Sequence, residues 1–348
     1  MRKRNILVGA GACLAALSLI TPSALADPTG NPTTRILAGG GSDTTQDVMN
    51  ALANVPASGL RIIGSYDASG SATIDTKIDV AGSTCVINRP VGSGNGVLAL
   101  RDERAAAATA NRRPCLDFAR SSADLSDDAR FNGSGFTFVP FARDAVSFAT
   151  RADSAIPPSL TTAQLKAIYE CTAAGTISNP PTILPLIPQS GSGTRTFFLQ
   201  SIGVTTLGSC VSDRDPTNTA IGLIENTGDR MTDPRHIAPY SVAQFFSQFF
   251  DVITDVTGNA EIRRVNGIIP TSPTFPFQRE VFNAIPTNEI GNAPYSTTFV
   301  GESSAICSSP GVITGFGFTL LPAGRCGAID PTLQTPGGAG TDLPGPVN

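Results

Sequence analysis

An α/β fold is predicted by three features of the sequence. Short apolar runs alternate with helical stretches, the layout of strands and helices packed in layers. A unit of strand, glycine-serine turn and helix recurs after Ala38, after Val91 and after Pro188. Hydrophobic residues make up 41% of the 348 and charged residues 15%, which supplies a sizeable core and excludes a disordered chain. The length suits one large domain or two ordinary ones.

Arg2, Lys3 and Arg4 precede an apolar run from Ile6 to Ile20 that is too short to span a bilayer comfortably. Ala24-Leu25-Ala26 then has the small-x-small pattern of a signal-peptidase site. Residues 1–26 are therefore expected to be a signal peptide cleaved before Asp27. Cys13 lies inside the apolar run and not at its end, which argues against a lipid anchor. The mature protein is expected to be secreted and soluble.

Arg35 to Ala38 reads as a strand running into Gly39-Gly40-Gly41-Ser42-Asp43-Thr44-Thr45. Gln46 to Leu52 reads as a helix, because Val48, Met49 and Leu52 share a face. Asp43 is expected to cap it. Gly92-Ser93-Gly94-Asn95-Gly96 precedes a helix over Val97 to Ala110. Strands are expected at Phe136 to Phe141, Ala145 to Ala149 and Ile183 to Ile187. Helices are expected at Leu160 to Tyr169, with Thr161 or Thr162 as cap, at Thr196 to Ile202 and at Val242 to Val256. Phe245, Phe246, Phe249 and Phe250 have helical spacing and are expected in the core. Asp124, Asp127 and Asp128 read as a solvated face. Arg143-Asp144 reads as a hinge or ion-pair feature. The Pro/Gly-rich tail, 331–348, is expected to be flexible.

Six of the seven cysteines follow the leader, and an even number in an exported chain points to disulfides. Many pairings are open, and the sequential one is simplest: Cys85–Cys115, Cys171–Cys210 and Cys307–Cys326. Closing the Cys171–Cys210 loop is worth roughly 4 kcal/mol on the chain-entropy model. No CxxC pair occurs, and with one histidine, His236, a multi-histidine metal site is excluded, so no cofactor or metal is expected. The net charge is −4 and becomes more negative once Arg2, Lys3 and Arg4 are removed, which argues against a nucleic-acid partner.

The glycine-serine turns present backbone N–H groups at helix N termini, where the dipole favours an anion, and their hydroxyls add neutral donors. Arg195 follows Ser190-Gly191-Ser192-Gly193-Thr194 directly. Its planar fork suits a phosphate or a carboxylate, and it is expected to carry the largest share of binding. Arg89 and Arg120 flank two of the loops and are expected in ion pairs.

Here the sequence resembles the phosphate-binding proteins of bacterial ABC uptake systems and the related extracellular DING-type phosphate binders. Gln189-Ser190-Gly191-Ser192-Gly193-Thr194-Arg195 is similar to that family's anion loop, and Gly92-Ser93-Gly94-Asn95-Gly96 to its second ligand loop. Asp117 to Ser126 resembles a third. Pro140 to Val146 is similar to the first hinge crossing, Leu160 to Tyr169 to the helix opening the second lobe, and Arg264 to Thr271 with Phe275 to Arg279 to the return crossing. Cys171 and Cys210 also fall where DING-type proteins have a bridge.

The resemblance implies a two-lobed type II periplasmic binding-protein fold with a hinge and an inter-lobe ligand cleft. Lobe 1 would comprise 34–141 plus 273–330, and lobe 2 would comprise 142–272. Carried over, the ligand residues would be Asp43, Thr44, Ser93, Gly94, Ser121, Ser122, Ser192, Gly193, Thr194 and Arg195. The implied ligand is a small anion, phosphate first, with an ABC permease as partner and a monomeric state. Three positions depart from the family. Ser122 stands where it has the aspartate that accepts the phosphate proton, and Asp43 or Asp124 would have to substitute. Pro188 and Ser190 stand where it has an arginine and an aspartate. Sulfate, another oxyanion or a carboxylated solute therefore stay open as ligands. Two other functions compete: an extracellular interaction protein that kept the fold, and a secreted hydrolase using His236 with a loop serine. Against the hydrolase, Gly191-Ser192-Gly193 is not a full nucleophile elbow.

Overall fold

Alternation of apolar residues along two long strands carries the chain through the middle of one sheet. The computed structural model describes residues 27–28, 35–54, 62–78, 84–126, 128, 130–131, 135–172 and 183–329. The expected signal peptide, Cys13 and the expected flexible tail lie outside the described residues. The first half contains β1 (Leu37–Gly41), α1 (Gln46–Leu52), β2 (Ile63–Ser65), β3 (Thr73–Ile78), β4 (Thr84–Asn88), α2 (Ser93–Ala110), β5 (Phe118–Ser121), β6 (Phe136–Arg151), β7 (Ser159–Leu160) and α3 (Thr162–Tyr169). There follow β8 (Leu184–Pro185), α4 (Gly193–Ser201), β9 (Arg214–Asp215), β10 (Asn218–Gly222), β11 (His236–Ser241), α5 (Val242–Phe249), β12 (Ala260–Ile262), β13 (Arg264–Val265), β14 (Gln278–Pro286), α6 (Tyr295–Phe299) and α7 (Pro310–Gly315).

The main sheet has the order β2-β1-β5-β14-β6-β11-β8, with β12 also on β6. β1 is parallel to β2 and β5, whereas β14 is antiparallel to β5 and β6. β6 pairs with β14 from Phe136 to Ala145, and then with β11 from Val146 to Thr150. Two strands were expected where one continuous strand runs, because each half finds its own partner.

The two-residue period sorts side chains onto both faces. On β14, Val281 and Ile285 join Leu37, Met49 and Phe118, while Phe282 and Ala284 join Val97, Leu100 and Phe138. Past the crossing, Val146 and Phe148 pack with Leu165, Tyr169 and Phe198. Each lobe thus has its own core, and β6 and β14 form the crossing. There Arg279 Nη2 meets Asp144 Oδ2 at 2.8 Å, with both side chains almost wholly buried. Asp144 Oδ1 also accepts from Ala243 N at the start of α5, at 3.1 Å. Asp144 is thus the ion-pair half of Arg143-Asp144, and the Arg143 backbone bonds Thr319.

α1 occupies the expected residues and buries Val48, Met49 and Leu52. Asp43 does not cap it. Thr45 holds the cap position without a side-chain bond, and the Asp43 carboxyl turns elsewhere, as described below. α2 begins at Ser93, so the glycine-rich turn is itself the first helical turn. α3 starts with a reciprocal cap between Thr161 and Gln164. α5 stops at Phe249, short of Val256, because Asp251 takes φ 57° and the Val252 and Ile253 N–H groups both return to Ser247 O. Phe249 and Phe250 are consequently 57% and 66% exposed, contrary to the core expected for them. They stack on Phe245 and Phe246, at 6.2 and 5.9 Å, beyond the reach of the sheet. Asp124 and Asp128 are buried rather than solvated: Asp124 Oδ1 accepts from Ser126 N and Asp128 pairs with Arg130 at 2.6 Å. Asp127 lies outside the described residues.

Disulfides join Cys85 to Cys115, Cys171 to Cys210 and Cys307 to Cys326, the sequential pairing.

Candidate functional site

The turns that glycine and serine mark in the sequence end at one place between the lobes. Ser93 opens α2. Ser192 caps α4, its hydroxyl accepting from Arg195 N at 3.0 Å. Gly94 N donates across the cleft to Gly191 O at 2.9 Å. Gly92 and Gly191 have φ of +89° and +88°, and a Cβ on Gly92 would stand 2.8 Å from Gly191 O. Only glycine allows both that backbone and that approach. A Cβ on Gly193 would stand 2.5 Å from both Ser93 Oγ and Ser122 Oγ. Those two hydroxyls are 3.3 Å apart, and Ser122 N donates to Ser93 Oγ at 3.0 Å. Thr44 Oγ1 lies 3.3 Å from Thr194 Oγ1 of the other lobe.

Asp43, Thr44, Ser93, Gly94, Ser122, Ser192, Gly193 and Thr194 are therefore brought together. Ser121 is not, because its hydroxyl donates to Ala123 O within its own turn at 2.6 Å. Nor does the Arg195 guanidinium join them. It is buried behind the loop, where Nη1 donates to Pro188 O at 3.0 Å and to Asp213 Oδ2 at 3.2 Å. Arg195→Ala is accordingly expected to cost stability, about 1–3 kcal/mol, because Asp213 loses its buried partner and keeps only Arg214 at 3.8 Å, read as a fall in the urea midpoint. An unchanged midpoint would exclude this supporting role.

One acid at the centre carries no sequence signal. Glu225 Oε1 accepts from Thr44 Oγ1 at 2.8 Å, and its Oε2 accepts from Ser192 Oγ. The next residue, Asn226, donates to Thr44 Oγ1 at 3.2 Å, and Gln244 Nε2 donates to Thr44 O at 2.7 Å. The Asp43 and Glu225 carboxyls lie near enough for each to act on the other's charge. Burial first, and then the Glu225 charge, hold the Asp43 carboxyl well above the usual range. Burial also pushes Glu225 upward, but the Asp43 hydrogen bond, the Arg279 charge and the Ser192 and Thr194 hydroxyls outweigh it and lower it. Asp124, the other candidate substitute, binds within its own turn.

Ser42 Oγ, Asp43 Oδ1 and Thr45 Oγ1 are buried with no hydrogen-bond partner among the described residues. Unpaired buried polar atoms are costly, and here they line the cleft end of β1. Arg120 supports that turn from behind, donating to Ser42 O at 3.0 Å and Ser65 Oγ at 2.8 Å, and burial lowers it to about 10. Among the described residues no carboxylate bonds it, against the ion pair expected. Arg89 makes such a pair, with Asp27 at 2.8 Å. The His236 ring accepts from Asp233 N in its own turn at 3.3 Å, and burial lowers its pKa. The acid beside Ser192 is Glu225.

The family described as PBP superfamily domain matches residues 26–233. No curated protein matches the chain. Among solved structures, an ABC-type phosphate transport receptor from Vibrio cholerae is 15% identical, with a TM-score of 0.51 over 82% of this chain and 100% of its own. A protein described as a phosphate ABC transporter substrate-binding protein with bound phosphate, from Clostridium perfringens, is also 15% identical, with a TM-score of 0.53 over 82% of this chain and 99% of its own. At these identities the likeness is one of fold.

Proposed function

Because the chain belongs to the PBP superfamily, we propose that it is a solute-binding protein that captures a small oxyanion between its lobes, with phosphate the first candidate. One observation supports this most. Hydroxyls of Thr44, Ser93 and Ser122 from one lobe meet those of Ser192 and Thr194 from the other at the starts of α2 and α4. Backbone N–H groups at helix N termini, joined by neutral hydroxyls, suit an oxyanion. Two solved structures of the same fold are described as phosphate transport proteins, which favours phosphate over other anions. We assign lobe 1 to 34–141 plus 273–330 and lobe 2 to 142–272, closing on the ligand about β6 and β14. The protein works without catalysis, as a secreted monomer that delivers its solute to an ABC permease.

The test is calorimetric titration of refolded, anion-free protein with phosphate and then sulfate. Saturable phosphate binding at one site per chain is expected, with weaker sulfate binding. No heat from either anion would overturn the reading.

A further inference from the structure

We propose that Glu225 is a built-in competitor for the oxyanion: its carboxylate occupies the hydroxyl cradle and ties the lobes together, so an external anion binds by displacing it. This rests on the reading that the cleft binds a small oxyanion.

The argument is a count of protons. A hydroxyl donates once. The Thr44 hydroxyl donates to Glu225 Oε1 at 2.8 Å, while its oxygen takes Asn226 Nδ2 at 3.2 Å. The Ser192 hydroxyl donates to Glu225 Oε2, while its oxygen takes Arg195 N at 3.0 Å. The Thr194 hydroxyl lies 3.3 Å from Thr44 Oγ1 and, with the Thr44 proton spent on Glu225, is the donor in that pair. Donors from both lobes that suit an external oxyanion are thus committed to an internal one. A carboxylate and a phosphate draw on the same donors, so the two exclude each other there.

Charge acts in the same direction. A second anion would face the Glu225 carboxylate in a buried place. The Arg279 charge near it is already bonded to Asp144 at 2.8 Å. Like charges brought together out of water repel strongly. The loop that carries Glu225 is also held in place. Asn226 sits in the left-handed region at φ 62°, its Oδ1 accepts from Ser241 N at 2.9 Å, and its carbonyl accepts from Tyr240 Oη at 2.8 Å. Glu225 is therefore presented to the cradle by a built loop and reaches Thr44 of the opposite lobe.

The test is phosphate titration of the wild type, Glu225→Ala and Glu225→Gln, with small-angle scattering of each before anion is added. Glu225→Ala is expected to bind phosphate about tenfold more tightly or better, as when roughly one wild-type molecule in ten is binding-competent. Its radius of gyration without anion is expected to exceed the wild-type value and to shrink on phosphate. Glu225→Gln keeps the volume without the charge and moves in the same direction, which covers a poorly folding alanine variant. Equal or weaker phosphate binding by both variants, with the wild type binding, would overturn the competitor and leave the solute-binding reading standing. Weaker binding would make Glu225 a ligand contact. No binding of phosphate or sulfate by any of the three would overturn both.

Discussion

Gly193→Val is expected to weaken phosphate binding by about ten- to a hundredfold while lobe 2 keeps its fold. The residue opens α4 and is not among the glycines with positive φ, so valine meets no backbone strain. The obstacle lies across the cleft. Even a Cβ would stand 2.5 Å from Ser93 Oγ and Ser122 Oγ and 3.2 Å from Ala123 N. Overpacking of a close contact costs about 1–3 kcal/mol, and each 1.4 kcal/mol is about tenfold in affinity. Calorimetry gives the affinity, and thermal unfolding confirms the fold. Unchanged affinity would show that the bound state does not need these two lobes in contact.

Asp144→Ala is expected to be the most destabilising single change, at about 3–5 kcal/mol, read from the urea midpoint. It leaves Arg279 buried without its partner and removes the acceptor for Ala243 N at the head of α5. The double variant Asp144→Ala with Arg279→Met should recover part of the loss, because the main penalty is an orphaned charge and not a missing attraction. A double variant as unstable as the sum of the singles would locate the cost in packing instead.

The α/β layout was legible because the strand, turn and helix units repeat with clear punctuation, and α1 falls on the residues whose spacing announces it. The glycine-serine turns were legible as a site for a physical reason: a close backbone approach such as Gly92 to Gly191 demands glycine, and glycine stands out in a sequence. Glu225 was not legible. It belongs to no motif, and only folding brings it to Thr44, 181 residues earlier. Arg195 misled for a related reason. Its place after the loop is a fact of sequence, but its direction is set by Asp213, which sequence adjacency does not show. Phe249 and Phe250 show the limit of periodicity, since helical spacing tells which face residues share but not where the helix outruns its neighbours.

The position of β14 in the sheet orders the folding of the chain. β14 comes late in sequence yet lies between β5 and β6, so residues 118–121 and 136–145 keep open edges until residues 278–286 arrive. The partners of the other half of β6, β11 and β12, come from 236–262, and β8 at 184–185 pairs with β11 beyond them. Lobe 2 can therefore assemble first, whereas lobe 1 waits on a long loop closure, the slow kind of contact. In that interval Phe138 lacks the Phe282 ring that later packs on it at 6.3 Å, and two strand edges stand ready to pair with another copy. The period of greatest aggregation hazard thus falls between the completion of the two lobes, and it ends when a single late strand inserts.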